Sequence, residues 1–163
     1  MRLYLVRHGK AGDRYEFPGD DLERPLTGAG RRQARAIALQ LSACDPVPAV
    51  LLTSPAARCR ETLEPLSTRL GVTIETHRFL EEGADVAVAI ERLAARSEQA
   101  VAACSHGDVI WGVLEWLTRA GVDLGERPDV QKAATWAIDL AGPDIPLRAE
   151  YLPPPDRPVR ASD

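Results

Sequence analysis

Two short apolar runs, residues 3–6 and 100–104, each stop on a histidine followed by glycine: Arg7-His8-Gly9 after the first and Ser105-His106-Gly107 after the second. An unbroken apolar run with no polar alternation fits a strand buried on both faces, as in a parallel sheet. Parallel neighbours need long crossovers, usually helical, and the stretches between the runs have helical spacing.

Residues 10–26 are polar and irregular, with Gly12, Pro18, Gly19 and Pro25, the kind of long loop kept for function or left mobile. Thr27 is placed to cap a helix whose apolar positions Ala34, Ile37, Ala38 and Leu41 follow i, i+3, i+4, i+7, leaving Arg31, Arg32 and Arg35 on the wet side. The cycle repeats with a strand over 49–52, a helix entrance at Thr53-Ser54-Pro55, a stripe of Cys59, Leu63, Leu66 and Leu70, and Gly71 as the stop. Next come a third strand over 72–74, a loop holding Glu81 and Glu82, and a helix through Val86, Ile90, Leu93 and Ala94. After the 100–104 strand, a helix turns Ile110, Val113, Leu114 and Leu117 inward. Strands over 135–140 and 147–152 flank a Gly142-Pro143 turn as a hairpin or edge pair. The expected class is α/β, a three-layer αβα sandwich with a mostly parallel central sheet and its site at the carboxyl ends of the strands. One domain is expected over 1–152, with 153–163 a Pro-rich, poorly ordered tail.

Composition narrows the function. At 163 residues and 45% apolar, the chain supports one buried core and is short for two. A formal charge of −4 counts against a nucleic-acid partner. No run approaches the roughly 20 apolar residues of a membrane span, and Met1-Arg2-Leu3 enters a strand rather than a secretory apolar region. Cys44, Cys59 and Cys104 are widely spaced in apolar surroundings and suit reduced thiols, so a cytoplasmic location is expected. His8, His77 and His106 lack close ligand spacing and no C-x-x-C pair occurs, so neither a metal nor another cofactor is expected. A G-x-S-x-G elbow is missing, and Gly28-x-Gly30 follows a loop without the third glycine of a dinucleotide fingerprint. Oligomeric state stays open.

The chemistry lies at the strand ends. Arg7-His8-Gly9, Arg58 at the start of the second helix, and His106-Gly107 converge on one edge if the strands are parallel. Two imidazoles, two guanidiniums and two helix N-termini there make a pocket for a dianionic phosphoryl group. A histidine in such a pocket is a nucleophile when one ring nitrogen is unprotonated and the other is held, commonly by a backbone carbonyl. The nearby arginines are expected to disfavour its imidazolium form and to offset charge in a loose transition state. Lys10 extends the anion site, and Lys132 reaches it only if the last strand pair folds over the pocket. Asp13, Asp20 and Asp21 are expected to organise turns, and Trp111, Trp116 and Trp136 to be core or rim, with base stacking an open role for Trp136.

Leu5-Val6-Arg7-His8-Gly9, Arg24-Pro25-Leu26-Thr27 with Gly30 and Gln33-Ala34, Ser54-Pro55-Ala56-Ala57-Arg58 with Glu61-Thr62, and Ser105-His106-Gly107-Asp108 occur in that order. Together they resemble the histidine phosphatase superfamily, over roughly residues 3–140. The compact length resembles the small phosphohistidine phosphatases. Gly19-Asp20-Asp21 with Arg24-Pro25-Leu26, and Lys132 with Thr135-Trp136, resemble the histidine phosphatase domain that some bacteria fuse to a Nudix hydrolase. The resemblance implies a phosphoglycerate mutase-like fold and a metal-independent phosphohydrolase. It makes His8 the phosphorylated nucleophile, Arg7 and Arg58 phosphate clamps, and His106 the second histidine on the phosphoryl oxygens. It has Glu61-Thr62 support Arg58 and makes Glu82, its neighbour Glu81, or neither the general acid; by their positions, Gly9, Lys10, Gly107 and Lys132 are expected to line the substrate. It implies a phosphorylated protein or a small-molecule phosphate as substrate. A phosphohistidine protein is expected first, a nucleotide or other phosphoanhydride is the alternative, and a non-catalytic phosphate-sensing domain is the rival of another class. An imidazole or phosphate leaving group needs less help from an acid than an alkoxide.

Overall fold

The first apolar run is the centre of the molecule. In a computed structural model, which describes residues 1–155, β1 (Arg2–Arg7) lies inside a six-stranded sheet ordered β3-β2-β4-β1-β5-β6. The other elements are α1 (Gly28–Ser42), β2 (Val50–Thr53), α2 (Ala57–Leu70), β3 (Ile74–Thr76), α3 (Val86–Ala94), β4 (Ala100–Ser105), α4 (Gly107–Arg119), β5 (Thr135–Gly142) and β6 (Ile145–Leu152). β3, β2, β4 and β1 pair in parallel, while β5 and β6 pair antiparallel.

Side-chain alternation makes the three layers. Leu3, Leu5, Leu52, Val101 and Ala103 pack on one face with Leu93 of α3 and Ile110, Val113 and Leu117 of α4. Tyr4, Val6, Leu51, Ala102 and Cys104 pack on the other with Ile37 and Leu41 of α1 and Leu63 and Leu66 of α2. Each fully buried Leu contributes about 1.5–3 kcal/mol by leaving water. The α/β sandwich with a mostly parallel sheet is therefore present.

Two boundaries differ from expectation. The third strand begins at Ile74, not residue 72, because Val72 is used to end α2: its N–H donates to the Ser67 carbonyl, its carbonyl accepts from the Ser67 hydroxyl, and Gly71 takes the left-handed conformation between them. The last strand begins at Ile145, not residue 147, and the expected hairpin forms at the sheet edge, with β5 pairing along β1 and β6 outermost. Val6 faces Thr135 in register, so the segment entering β5 crosses the carboxyl end of β1.

The expectation of a poorly ordered tail falls mostly outside the described residues; within them, Pro154 is buried. Among the described residues no helix is long and apolar enough to cross a membrane.

Candidate active site

His8 follows β1, where parallel pairing with β4 carries the ladder one step further: its N–H donates to the Ser105 carbonyl at 3.2 Å. The same register brings His106 alongside, with ring centroids 5.4 Å apart in an edge-to-face arrangement, a gap a phosphoryl group can bridge. Both rings are buried. His8 Nδ1 lies 2.8 Å from the Gly9 carbonyl, which only accepts, so Nδ1 carries the proton and Nε2 the lone pair. Burial is the largest cause lowering the His8 pKa to about 3; His106, Arg58 and Arg7 add to it and the Gly9 carbonyl opposes it. Desolvation, more than the arginines invoked from sequence, keeps this imidazole neutral.

Arg58 is 1% exposed. Nη1 donates to the Asp21 carbonyl at 2.8 Å, and Nη2 lies 3.2 Å from Asp21 Oδ2, 3.5 Å from Glu82 Oε2 and 3.4 Å from His106 Nδ1. A guanidinium only donates, so His106 Nδ1 accepts and Nε2 carries its proton. That proton points to the Ser54 hydroxyl at 2.8 Å, with Cys59 Sγ 3.5 Å from the same nitrogen. Arg7 lies against the backbone of α4: a Cβ on Gly107 would stand 3.2 Å from its Cζ. Its Nη1 donates to the Val130 carbonyl. Nε of Arg7 and Nε of Arg58 are both buried without a hydrogen-bond partner.

The helices that start here are unlike the others. Thr27 caps α1 and Asp85 caps α3, but neither α2, entered at Ala56, nor α4, entered at His106, has a side-chain cap. Their first N–H groups are left for an anion, with the positive end of each helix dipole behind them.

The long loop is fastened beside His8. Ala11 bridges Leu26, and Thr27 N–H donates to the Lys10 carbonyl at 2.9 Å. A Cβ on Gly30 would stand 2.0 Å from that oxygen, so only glycine fits. Asp13 and Asp20 do organise turns, accepting from Tyr15 and Leu22 N–H. Asp21 instead pairs with Arg24 and Arg58. Of the two candidate carboxylates, Glu82 reaches Arg58 and is also held by Arg14 at 2.9 Å, whereas Glu81 pairs with Arg78. Glu61 and Thr62 serve the backbone, not the Arg58 guanidinium: Glu61 accepts from Leu26 N–H, while Thr62 accepts from Gly9 N–H and donates to the Arg58 carbonyl.

Lys10 is exposed, its N–H held by Gln33. Lys132 sits in the segment crossing the end of β1, where Ala133, at φ 67°, donates to the carbonyls of Arg7 and His8. Burial lowers the Lys132 pKa, as do Arg7, Arg24, Lys10 and Arg58 around it. The segment that carries it crosses the end of β1 at the antiparallel start of β5, with no folding-over of the hairpin. Trp136 is 2% exposed, donates to the Asp129 carbonyl and packs on Tyr151, which removes it as a stacking surface. His77 pairs with Glu75 and stacks on Phe79. Among the described residues no cluster of three or more side chains fit to hold a metal forms.

Ser54, Asp21 and Arg24, read from sequence as motif or turn residues, and Arg14, which the sequence did not flag, belong to this network. One signal was available: two helices starting without Ser, Thr, Asp or Asn at the cap leave polar groups nearby with another task.

The family model of the histidine phosphatase superfamily (branch 1) matches residues 3–85. An 8-oxo-(d)GTP phosphatase of Mycolicibacterium smegmatis is 37% identical over 160 residues, covering 94% of this chain and 48% of that protein. The chain thus spans about half the length of the curated relatives it matches. Among solved structures, the putative phosphohistidine phosphatase SixA from Agrobacterium tumefaciens superposes with a TM-score of 0.75 at 27% identity, covering 94% of this chain and 97% of that one. The protein histidine phosphatase SixA complexed with tungstate gives 0.75 at 22% identity over 93% and 94%, a likeness of fold. The sandwich is phosphoglycerate mutase-like, and the chain belongs to the histidine phosphatase superfamily.

Proposed function

We propose that this domain hydrolyses phosphate compounds without a metal, through a phosphohistidine on His8. The observation that carries this is the His8 ring itself: buried, neutral, with Nδ1 held by the Gly9 carbonyl and Nε2 left with its lone pair beside Arg58 and His106. In the first step Nε2 forms a bond to phosphorus in line with the leaving group, whose bond to phosphorus breaks. Arg7, Arg58 and the N–H groups of Gly107 and its neighbours hold the equatorial oxygens as charge shifts onto them, while His106 orients Arg58 through Nδ1. In the second step water attacks phosphorus, the P–N bond breaks, and inorganic phosphate leaves with His8 neutral again.

Glu82 accepts from Arg14 and Arg58. In this arrangement it is an acceptor, suited to take the proton of the attacking water more than to protonate a leaving group. A leaving group that departs as an anion is then favoured, and a phosphoanhydride releases one. Lys132 is an exposed cation whose pKa is lowered by desolvation and by Arg7, Arg24, Lys10 and Arg58 around it, and it suits a second phosphate. The 8-oxo-(d)GTP phosphatase relative supports the same class. Our substrate is therefore a nucleoside phosphoanhydride, acting from the cation-lined side with Lys10 and Lys132 on the leaving phosphate. A phosphohistidine protein is the second reading, supported by the likeness to the Agrobacterium SixA over nearly both whole chains.

Phosphate release in chelator-containing buffer, from a nucleoside diphosphate, a nucleoside triphosphate, a phosphohistidine protein and a sugar phosphate, tests both. Nucleotide turnover abolished in His8→Ala is the expected result. Preference for the phosphohistidine protein selects the second reading. No turnover of any substrate leaves a phosphate-sensing domain in place of the enzyme, and equal turnover in His8→Ala moves the chemistry to another group.

A further inference from the structure

Exposed ion pairs contribute little to stability, so one that joins two loops beside a pocket matters for where it puts its charges. The turn over residues 12–17 fastens itself: the Asp13 carboxylate accepts from Tyr15 N–H, the Asp13 carbonyl accepts from Glu16 and Phe17 N–H, and Arg24 donates to the Gly12 carbonyl. The Arg14 side chain takes no part in that fastening. Its guanidinium leaves the turn and meets the loop after β3, where Nη2 lies 2.9 Å from Oε1 and 3.1 Å from Oε2 of Glu82. The two side chains are 46% and 44% exposed. Glu82 Oε2 also lies 3.5 Å from Nη2 of Arg58, the buried guanidinium placed to clamp a phosphoryl oxygen. Asp21 already neutralises that same nitrogen from 3.2 Å.

Glu82 therefore stands between two guanidiniums, with its shorter contacts on Arg14. A carboxylate drawn fully onto Arg58 would compete with a phosphate for the same donor and repel its charge, whereas one held and neutralised by Arg14 does less of both. We infer that Arg14 is a positioning residue for phosphate binding: it draws Glu82 to itself and so keeps Arg58 open to the incoming anion. This rests on the reading of the pocket as a phosphoryl site, and on no choice of leaving group.

The test titrates inorganic phosphate into the full chain by calorimetry, for wild type, Arg14→Ala, Arg14→Lys, Glu82→Gln and the double variant Arg14→Ala/Glu82→Gln. Binding is read instead of turnover because Glu82 also has a place in the chemistry. Arg14→Ala is expected to raise the Kd about five- to tenfold, the scale of one partly screened charge a few ångströms away, while Arg14→Lys keeps most of the affinity. In the Glu82→Gln background no carboxylate is left to hold, and adding Arg14→Ala is expected to change the Kd by less than about twofold. A loss that persists in that background overturns the positioning role, since Arg14 would then act on the anion directly or through the turn. Wild-type affinity in Arg14→Ala overturns it as well. Wild type that binds no phosphate overturns the phosphoryl-site reading, and the role of Arg14 with it.

Discussion

His8 owes its neutrality to where it is buried, and that burial has a thermodynamic signature. Its pKa is about 3 in the folded chain against an ordinary 6.5. Between those values the unfolded chain binds a proton the folded one does not, so stability falls as pH drops, by about 1.4 kcal/mol per pH unit well below 6.5. His8→Asn is expected to flatten this acid-side slope in urea denaturation at pH 7, 6 and 5; an unchanged slope would mean the ring is not desolvated. The same lowering predicts no loss of nucleophile by protonation down to pH 5. Ser54 acts through His106: its hydroxyl accepts a hydrogen bond from Nε2–H at 2.8 Å and so supports the tautomer whose Nδ1 faces Arg58. Ser54→Ala leaves that buried N–H poorly paired, and about a tenfold loss in kcat with little change in KM is expected. A shifted pH profile and recovery in Ser54→Thr would mark a positioning role, while full activity in Ser54→Ala would remove it.

At the scale of elements, the junction of the long loop with α1 carries the most information. Thr27 was legible as a cap because a hydroxyl there has one common use, and the structure has it accepting from Gly30 N–H. The reason for Gly30 was not legible, since it depends on the Lys10 carbonyl arriving from another segment. Gly30→Ala forces that oxygen away from a contact of 2.0 Å and with it the backbone two residues beyond His8. A cost of about 1–3 kcal/mol is expected, read as a lowered denaturation midpoint, together with reduced turnover. Wild-type stability and turnover would show that the loop closes some other way. The shift of β3 to Ile74 has a similar origin: the apolar pattern Val72-Thr73-Ile74 reads as a strand until the helix before it claims Val72 for its own termination.

For the whole molecule, the parallel sheet and its layers could be read because buried parallel strands are written as unbroken apolar runs and their helices keep a clean stripe. From that topology alone Arg7, His8, Arg58 and His106 were expected to meet, and they do. Partners set by tertiary proximity were not readable: Asp21 under Arg58, Arg14 on Glu82, and the route by which the segment carrying Lys132, itself named from sequence, passes the end of β1. Their roles in turnover all depend on one event, the transfer of a phosphoryl group to His8. The measurement that reaches it is an alkaline quench of the enzyme mixed with a nucleoside diphosphate radiolabelled in its terminal phosphoryl group, followed by peptide mapping. Label that is acid-labile, alkali-stable, located on the peptide containing His8 and missing from His8→Ala is the predicted result. Turnover with no label on that peptide, or with label on another residue, would contradict the account.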